Sequence, residues 1–282
     1  MKKTIRIGGV PEHFNVLWHY ALEKGYFDEA GIDLQWIDYP SGSAPLARDM
    51  DAGVIDLSVI LTESIIASIA NGNHSKIVSV YVDSPLVWGI HVASNSDITG
   101  TDQMPGKKYA VSRLGSGSHL MALVDAEKRG FLIHRDQFVV VNNLQGAVDG
   151  LPGKADLFFW EKFTTKPWVD KGIFRRIGEC PTPWPCFVIA GGTDFLQQNK
   201  DVVITLVSVI KKTALEFRTL TNATDIIAKR YQQKTVDVDE WYSNVSWAKN
   251  THVNKNDMEK VISKLLQLGV IEKLVEVDEL LM

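Results

Sequence analysis

The 282-residue chain has two cysteines, Cys180 and Cys186, and no surplus of basic charge: 30 lysines and arginines stand against 34 acids, a net charge of −4. The charge balance gives no electrostatic footprint for nucleic acid, and no RNP, zinc-finger or polybasic pattern is present. Two thiols with no histidine nearby do not make a metal site, and whether they pair is a question of geometry. No apolar run approaches the roughly 18 residues of a membrane span. The start, Met1-Lys2-Lys3-Thr4-Ile5-Arg6-Ile7-Gly8-Gly9, is basic but lacks the apolar h-region of a signal peptide. As written the chain is therefore expected to be cytoplasmic, or periplasmic if a leader was removed. Catalytic signatures are also missing. Gly115-Ser116-Gly117 is not followed by the Gly-Lys-Ser/Thr of a phosphate loop and lacks the third glycine of a dinucleotide fingerprint. There is no Gly-x-Ser-x-Gly elbow and no His-Glu-x-x-His. No catalytic residue, cofactor or metal is assigned.

What remains is an ordinary globular composition, 45% hydrophobic and 23% charged, at a length that suggests one large or two medium domains. The first ~90 residues alternate between short β-rich runs and helical periodicity. Strands are expected at Thr4 to Gly9, Ile32 to Tyr39, Val54 to Leu61, Ile77 to Val82 and Leu86 to Ala93. Helices are expected between the first four of them, and Gly25 and Gly72 act as stops. Such alternation builds a mostly parallel sheet covered by helices. A polar linker, Ser94 to Gly106, precedes a restart. Its strands are Lys108 to Val111, Phe138 to Val141 and Asp156 to Trp160, and another follows at Phe187 to Ala190. Beyond Asp194 the pattern is helical. The second set of strands resembles a smaller copy of the first, inserted into it.

The stretch Val111 to His119 is the focus. An apolar strand runs through a small polar turn, Ser112-Arg113-Leu114-Gly115-Ser116-Gly117-Ser118, into a helix that Gly130 stops. Such a turn presents backbone N–H groups and the positive end of the helix dipole to a carboxylate, sulfonate or phosphate. Equally, Ser116 or Ser118 is an ordinary N-cap. In open parallel sheets ligands bind beyond the carboxyl ends of strands. The residues there are Glu12, His13, Phe14 and Asn15; Ser41, Gly42 and Ser43; Thr62 and Glu63; Arg113, Ser116, Gly117 and Ser118; Asn142; and Trp160 and Glu161. Trp184, between Pro183 and Pro185, either lines a cleft or stiffens a hinge. His13 is either a ligand contact or a surface histidine, and His19, in mid-helix, is structural. Glu12, Glu63 and Glu161 either meet a cationic ligand group, or are solvated charges or charges at helix N-termini that stabilise the dipole. For Glu63 the helix-start reading is favoured. Trp160 either stacks on ligand or forms the edge of the core, and Arg113 either pairs with an acidic group or faces solvent.

The segment Ala21-Leu22-Glu23-Lys24-Gly25-Tyr26-Phe27-Asp28-Glu29-Ala30-Gly31-Ile32-Asp33-Leu34 is similar to the opening motif of the SsuA/THI5-like (NMT1-like) substrate-binding proteins. Gly53-Val54-Ile55-Asp56, Gly106-Lys107-Lys108-Tyr109-Ala110-Val111 and Asp156 to Glu161 resemble further motifs of that family, in the same order. The resemblance covers roughly residues 5–220. It implies a two-lobed, α/β, type II periplasmic-binding-protein-like fold with mostly parallel sheets. Lobe 1 would be residues 1–93 and 190–282, and lobe 2 residues 94–189. Two crossover strands near Leu86 to Ala93 and Cys186 to Ala190 would form the hinge, and the C-terminal part would be helical. The implied function is capture of a small polar, anionic or amphoteric molecule (the sulfonate, nitrate or thiamine-precursor class) by a monomer that closes in Venus-flytrap fashion, with an ABC permease as partner and no membrane insertion. The alternative is a cytosolic enzyme on the same fold, of the pyrimidine-precursor synthase or menaquinone-pathway lyase type. The synthases' run of cysteines is missing here.

Overall fold

A computed structural model describes residues 2–151, 153–249 and 252–282. Met1, Pro152, Asn250 and Thr251, which the expected lobe ranges include, lie outside them. The described chain divides into two compact units: 2–84 with 184–266 and 271–282, and 85–183 with 267–270.

In the first unit, β1 (Lys3–Gly9) leads through α1 (Val16–Glu23) and α2 (Tyr26–Glu29) to β2 (Ile32–Asp38). Then come α3 (Ser43–Asp51), β3 (Leu57–Leu61), α4 (Thr62–Ala70) and β4 (Ser75–Val82). The β-branched alternation of β1 explains its place. Ile5 and Ile7 are fully buried, while Arg6 turns the other way and grips Asp56, Nη2 to Oδ1 at 2.6 Å and Nε to Oδ2 at 3.1 Å. Asp56 Oδ2 also accepts the Arg6 backbone N–H at 2.7 Å. These bonds fix the entry to β3 beside β1.

The chain then supplies the second unit: β5 (Val87–Ala93), β6 (Tyr109–Val111), α5 (Gly117–Arg129), β7 (Phe138–Val140), α6 (Leu144–Gly150), β8 (Leu157–Glu161), α7 (Lys166–Asp170) and β9 (Phe174–Pro181). Its core gathers Ala93, Ala110, Val141, Ala147, Leu151, Phe158 and Phe174, with Trp160 and Trp168 packed half-buried against it. Back in the first unit, β10 (Phe187–Gly192) is followed by α8 (Thr193–Gln198), α9 (Lys200–Phe217), α10 (Ala223–Tyr231), α11 (Thr235–Asn244), α12 (Lys255–Gln267) and α13 (Val277–Leu280). Helix α9 docks on the N-terminal helices where Tyr20 and Tyr26 both donate to Glu216, at 3.0 and 2.8 Å.

The sheets are built alike. The first runs β2-β1-β3-β10-β4 and the second β7-β6-β8-β5-β9. In each, four strands run parallel, and the strand by which the chain crosses into that unit, β10 or β5, is the antiparallel one. The α/β class with mostly parallel sheets and a helical C-terminal part is thus what the structure shows. Cys180 and Cys186 are both buried free thiols. Among the described residues no helix is long and apolar enough to cross a membrane.

Candidate functional site

In the first unit, β1 ends in Gly8-Gly9. A Cβ on Gly9 would lie 2.4 Å from the Trp36 ring, so only glycine lets the chain pass there. The following loop makes a 3-10 turn, His13–Asn15. Its middle carbonyl, that of Phe14, accepts from Tyr81 Oη at 2.7 Å and from Trp247 Nε1 at 3.2 Å. Tyr81 ends β4 and Trp247 follows α11, so two distant segments hold the loop in one conformation. His13 is 1% exposed. Its ring stacks on Phe14 at 4.8 Å and meets the Trp241 ring edge-on at 4.3 Å. Gln233 Nε2 lies 3.5 Å from its Nδ1. Burial pushes the imidazole pKa down to about 3, so it is neutral at physiological pH. Asn15 Nδ2 donates to the Val10 carbonyl at 2.8 Å, while its buried Oδ1 has no hydrogen-bond partner. Glu12 is half-buried.

Ser41 is exposed, Gly42 adopts a left-handed φ of 83° and Ser43 opens α3. At the end of β3, Thr62 Oγ1 donates to the Pro185 carbonyl at 2.6 Å, and the Thr62 N–H donates to the Cys186 carbonyl at 3.0 Å. These bonds tie the start of α4 to the segment entering β10. Glu63 stands in the first turn of α4, as its helix-start reading requires, but it is not a solvated charge. It is 1% exposed, and its Oε2 accepts from Trp184 Nε1 at 2.9 Å. Its Oε1 is buried with no hydrogen-bond partner. Desolvation pushes its pKa up to about 7, against the opposing pull of the Glu63 backbone N–H and the indole. Trp184 itself is buried.

In the second unit, the turn after β6 is capped from within. Ser116 is the N-cap of α5: its Oγ accepts from the His119 N–H at 3.4 Å and donates to the Arg113 carbonyl at 2.7 Å. Ser118 Oγ accepts from the Ser112 N–H at 3.0 Å, which leaves its own proton for Ser116 Oγ, 3.0 Å away. The hydroxyls therefore serve the turn, and what the turn offers an anion is backbone N–H and the dipole of a 13-residue helix. Arg113 stands half-buried at the same strand end, its guanidinium pKa lowered by desolvation. His119 Nδ1 accepts from the Gly115 N–H at 3.2 Å, and burial pushes this ring down to about 4.

Asn142 is exposed with φ at 70°, a left-handed conformation asparagine tolerates better than most residues. Trp160 stacks on Phe158 at 5.2 Å, at the edge of the core. Glu161 is buried, with Oε2 accepting the N–H groups of Phe163 and Thr164 at 3.0 and 2.6 Å, and burial pushes its pKa up to about 7. It closes the turn after β8. A hydroxyl–imidazole pair does exist in this unit, Thr165 Oγ1 with His91 Nε2 at 2.9 Å. Both residues are sealed from solvent. Among the described residues no group of three or more His, Cys, Asp or Glu gathers as a metal site would.

The structure thus places Glu12, His13, Phe14, Asn15, Thr62, Glu63 and Trp184 in the first unit and the Arg113–Ser118 turn, Asn142, Trp160 and Glu161 in the second. Sequence reasoning missed Tyr231, Gln233 and Trp241, which surround His13 from α10, the loop after it and α11. In the sequence, the aromatic pair Trp241-Tyr242 is the signal that marks Trp241. Tyr231 Oη and Trp241 Nε1 are buried without hydrogen-bond partners.

Comparison with known proteins bears on this arrangement. The sequence pattern described as Ca3427-like PBP matches residues 88–180. No curated protein matches the chain. Among solved structures, the Candida albicans CA3427 gene product is described as defining a new family with the generic periplasmic binding protein fold. It superposes with a TM-score of 0.92 at 28% identity, over 99% of this chain and 96% of its own. The alkanesulfonate-binding protein SsuA from Xanthomonas axonopodis pv. citri, bound to MOPS, gives 0.80 at 16% identity over 99% and 98%. The nitrate-binding protein NrtA from Synechocystis gives 0.74 at 16% over 96% and 82%. The chain has the type II periplasmic-binding-protein-like fold, and its resemblance to SsuA/NMT1-like proteins holds.

Proposed function

We propose that this chain, a type II periplasmic-binding-protein-like protein of the SsuA/NMT1-like kind, is a solute-binding protein. It captures a small anionic or amphoteric organic molecule with the loops at the carboxyl ends of its strands. The observation that carries the reading is the turn after β6. There the half-buried Arg113 guanidinium and the N-terminus of α5 put positive potential at one strand end. A sulfonate or carboxylate on the solute answers that potential, as backbone N–H groups at helix starts answer anions generally. Supporting it, the structural relatives named SsuA and NrtA bind an alkanesulfonate and nitrate. Partnership with an ABC permease belongs to the same reading. The His13 and Glu63 neighbourhoods are built to hold rather than to transform. His13 is neutral and walled by aromatic rings, and Glu63 is fixed by an indole.

Native mass spectrometry of freshly purified protein, followed by thermal-shift screening of sulfonates, carboxylates and amino-acid-like zwitterions, tests this. A retained small molecule, or one class that raises the melting temperature, is expected. Ser116→Asp places a carboxylate at the helix start and is expected to weaken binding of the anion by about tenfold or more. Unchanged affinity in calorimetry removes the turn from the site. A chemically altered retained molecule, with turnover, replaces the reading with an enzymatic one.

A further inference from the structure

We propose that the carboxyl end of the first sheet is a receptor for an N–H donor, where Glu63 Oε1 and Asn15 Oδ1 accept from an amine, amidine or protonated ring nitrogen of the solute. This rests on the solute-binding reading and names a chemical group that the solute carries.

The two oxygens are the starting point. Both are buried, and neither meets a donor. Buried polar atoms without partners are few in native proteins, because each unmade bond leaves a desolvated group uncompensated. Here two acceptors share one end of one sheet. Strands β1 and β3 are hydrogen-bonded neighbours, with Gly8 opposite Ser58. The loop after β1 brings Phe14, next to Asn15, within 5.1 Å of the Phe187 ring. Phe187 in turn pairs with Leu61, two residues before Glu63. The same apolar side chain therefore borders both strand ends.

The protein could have satisfied these atoms itself and does so elsewhere. Glu161, at the corresponding end of β8, turns its carboxylate onto two backbone N–H groups. Glu63 instead commits one oxygen to Trp184 and Asn15 commits its amide to Val10, which orients each remaining acceptor. A carboxylate oxygen and an amide oxygen at one end of one sheet repel an anion and select a donor, best a cationic one.

The test uses matched solutes that differ only in the amine: 3-aminopropanesulfonate against propanesulfonate, and 4-(aminomethyl)benzoate against 4-methylbenzoate. Each is titrated calorimetrically into the full-length wild-type chain, Glu63→Gln and Asn15→Ala. In the wild type, the amine-bearing member of at least one pair is expected to bind about tenfold tighter or more. Glu63→Gln is expected to abolish that preference. Asn15→Ala supplies the same readout should Glu63→Gln fail to fold. Equal affinities within both pairs in the wild type, with binding still sensitive to Ser116→Asp, overturn the donor site and leave the solute-binding reading standing. An amine preference that survives both variants overturns it as well. No binding by any of the four, alongside a retained solute of other chemistry that lacks an N–H group, refutes the donor site alone. No binding and no retained solute refutes the solute-binding reading on which it rests.

Discussion

Replacing Glu63 with glutamine removes a buried acid that the fold holds at an unfavourable protonation equilibrium, and the effect on stability follows from its pKa. Desolvation moves the carboxyl from its ordinary 4.5 to about 7 in the folded chain. A raised folded-state pKa means the folded form holds the proton while the unfolded form has released it. Stability contributed by the neutral acid is complete below pH 4.5 and is lost as pH rises toward 7. At about 1.4 kcal/mol per pH unit, the gap between 4.5 and about 7 corresponds to about 3 kcal/mol. Other groups titrate nearby. Glu161, also at about 7, acts with the same sign. His13 at about 3, and His91 and His119 at about 4, act oppositely: their folded pKa values are depressed, so they withdraw stability as pH falls below 6.5. The wild-type profile is therefore a sum, but the difference between wild type and Glu63→Gln isolates one group.

Urea unfolding of both proteins without ligand, followed by tryptophan fluorescence at intervals from pH 4.5 to 8, provides that difference. Any constant offset, including the altered bond to Trp184, cancels between pH values. The glutamine variant is expected to gain about 3 kcal/mol relative to wild type between the two ends of the range. Parallel stability profiles would show that Glu63 titrates as an ordinary exposed acid. They would refute the burial argument from which its role as a ligand acceptor is built.

Two further outcomes follow from geometry. A Cβ on Gly146 would lie 1.8 Å from the Val141 carbonyl oxygen. Gly146→Ala must therefore break the Asn143-capped first turn of α6, and is expected to destabilise the second unit by about 3 kcal/mol or more in urea unfolding. Asp56→Ala leaves the Arg6 guanidinium and backbone N–H without their carboxylate. It is expected to lower stability by about 2 kcal/mol, discounted for the partial exposure of Arg6, with little change in the far-UV dichroism of the surviving fold.

The strands and helices that carry periodicity were legible in the sequence because their burial is one-sided and local. The alternation of Ile5 and Ile7 with Arg6, and the glycine stops at Gly25 and Gly130, need no knowledge of partners. Strand β9 was not legible. It lies at an edge of its sheet, where Arg175, Arg176 and Glu179 are tolerated and blunt further pairing, so its pattern is charged rather than alternating. The first turn of the helix starting at Thr235, Thr235-Val236-Asp237-Val238, carries a strand-like alternation, so its start has no helical signal of its own. The site divides in the same way. The Ser116 cap is a bond across three residues and was readable as an N-cap. The burial of His13 depends on Trp241, more than two hundred positions away, and no local signal encodes it.

Glu63 and Glu161 show why residue type and spacing could locate these groups without assigning them. Each acid stands at the carboxyl end of the third strand of a sheet with the same strand order, and each is buried with its pKa raised to about 7. What separates them is where the partner comes from. Glu161 finds its donors two and three residues onward, so its Oε2 is spent on the chain that carries it. Glu63 finds its side-chain donor 121 residues away, on the segment entering β10; that indole N–H engages Oε2, and Oε1 has no hydrogen-bond partner. A local partner turns a buried carboxylate into a structural brace. A remote partner with one donor orients the carboxylate and leaves acceptor capacity for something the chain does not supply. The two acids of one repeated architecture therefore divide between holding the fold and receiving a ligand, and Glu161→Gln is the natural control for Glu63→Gln. It should share the pH signature, because both acids are buried, and leave any preference for amine-bearing solutes untouched. If both substitutions erase that preference equally, the division of labour argued from Oε1 is wrong.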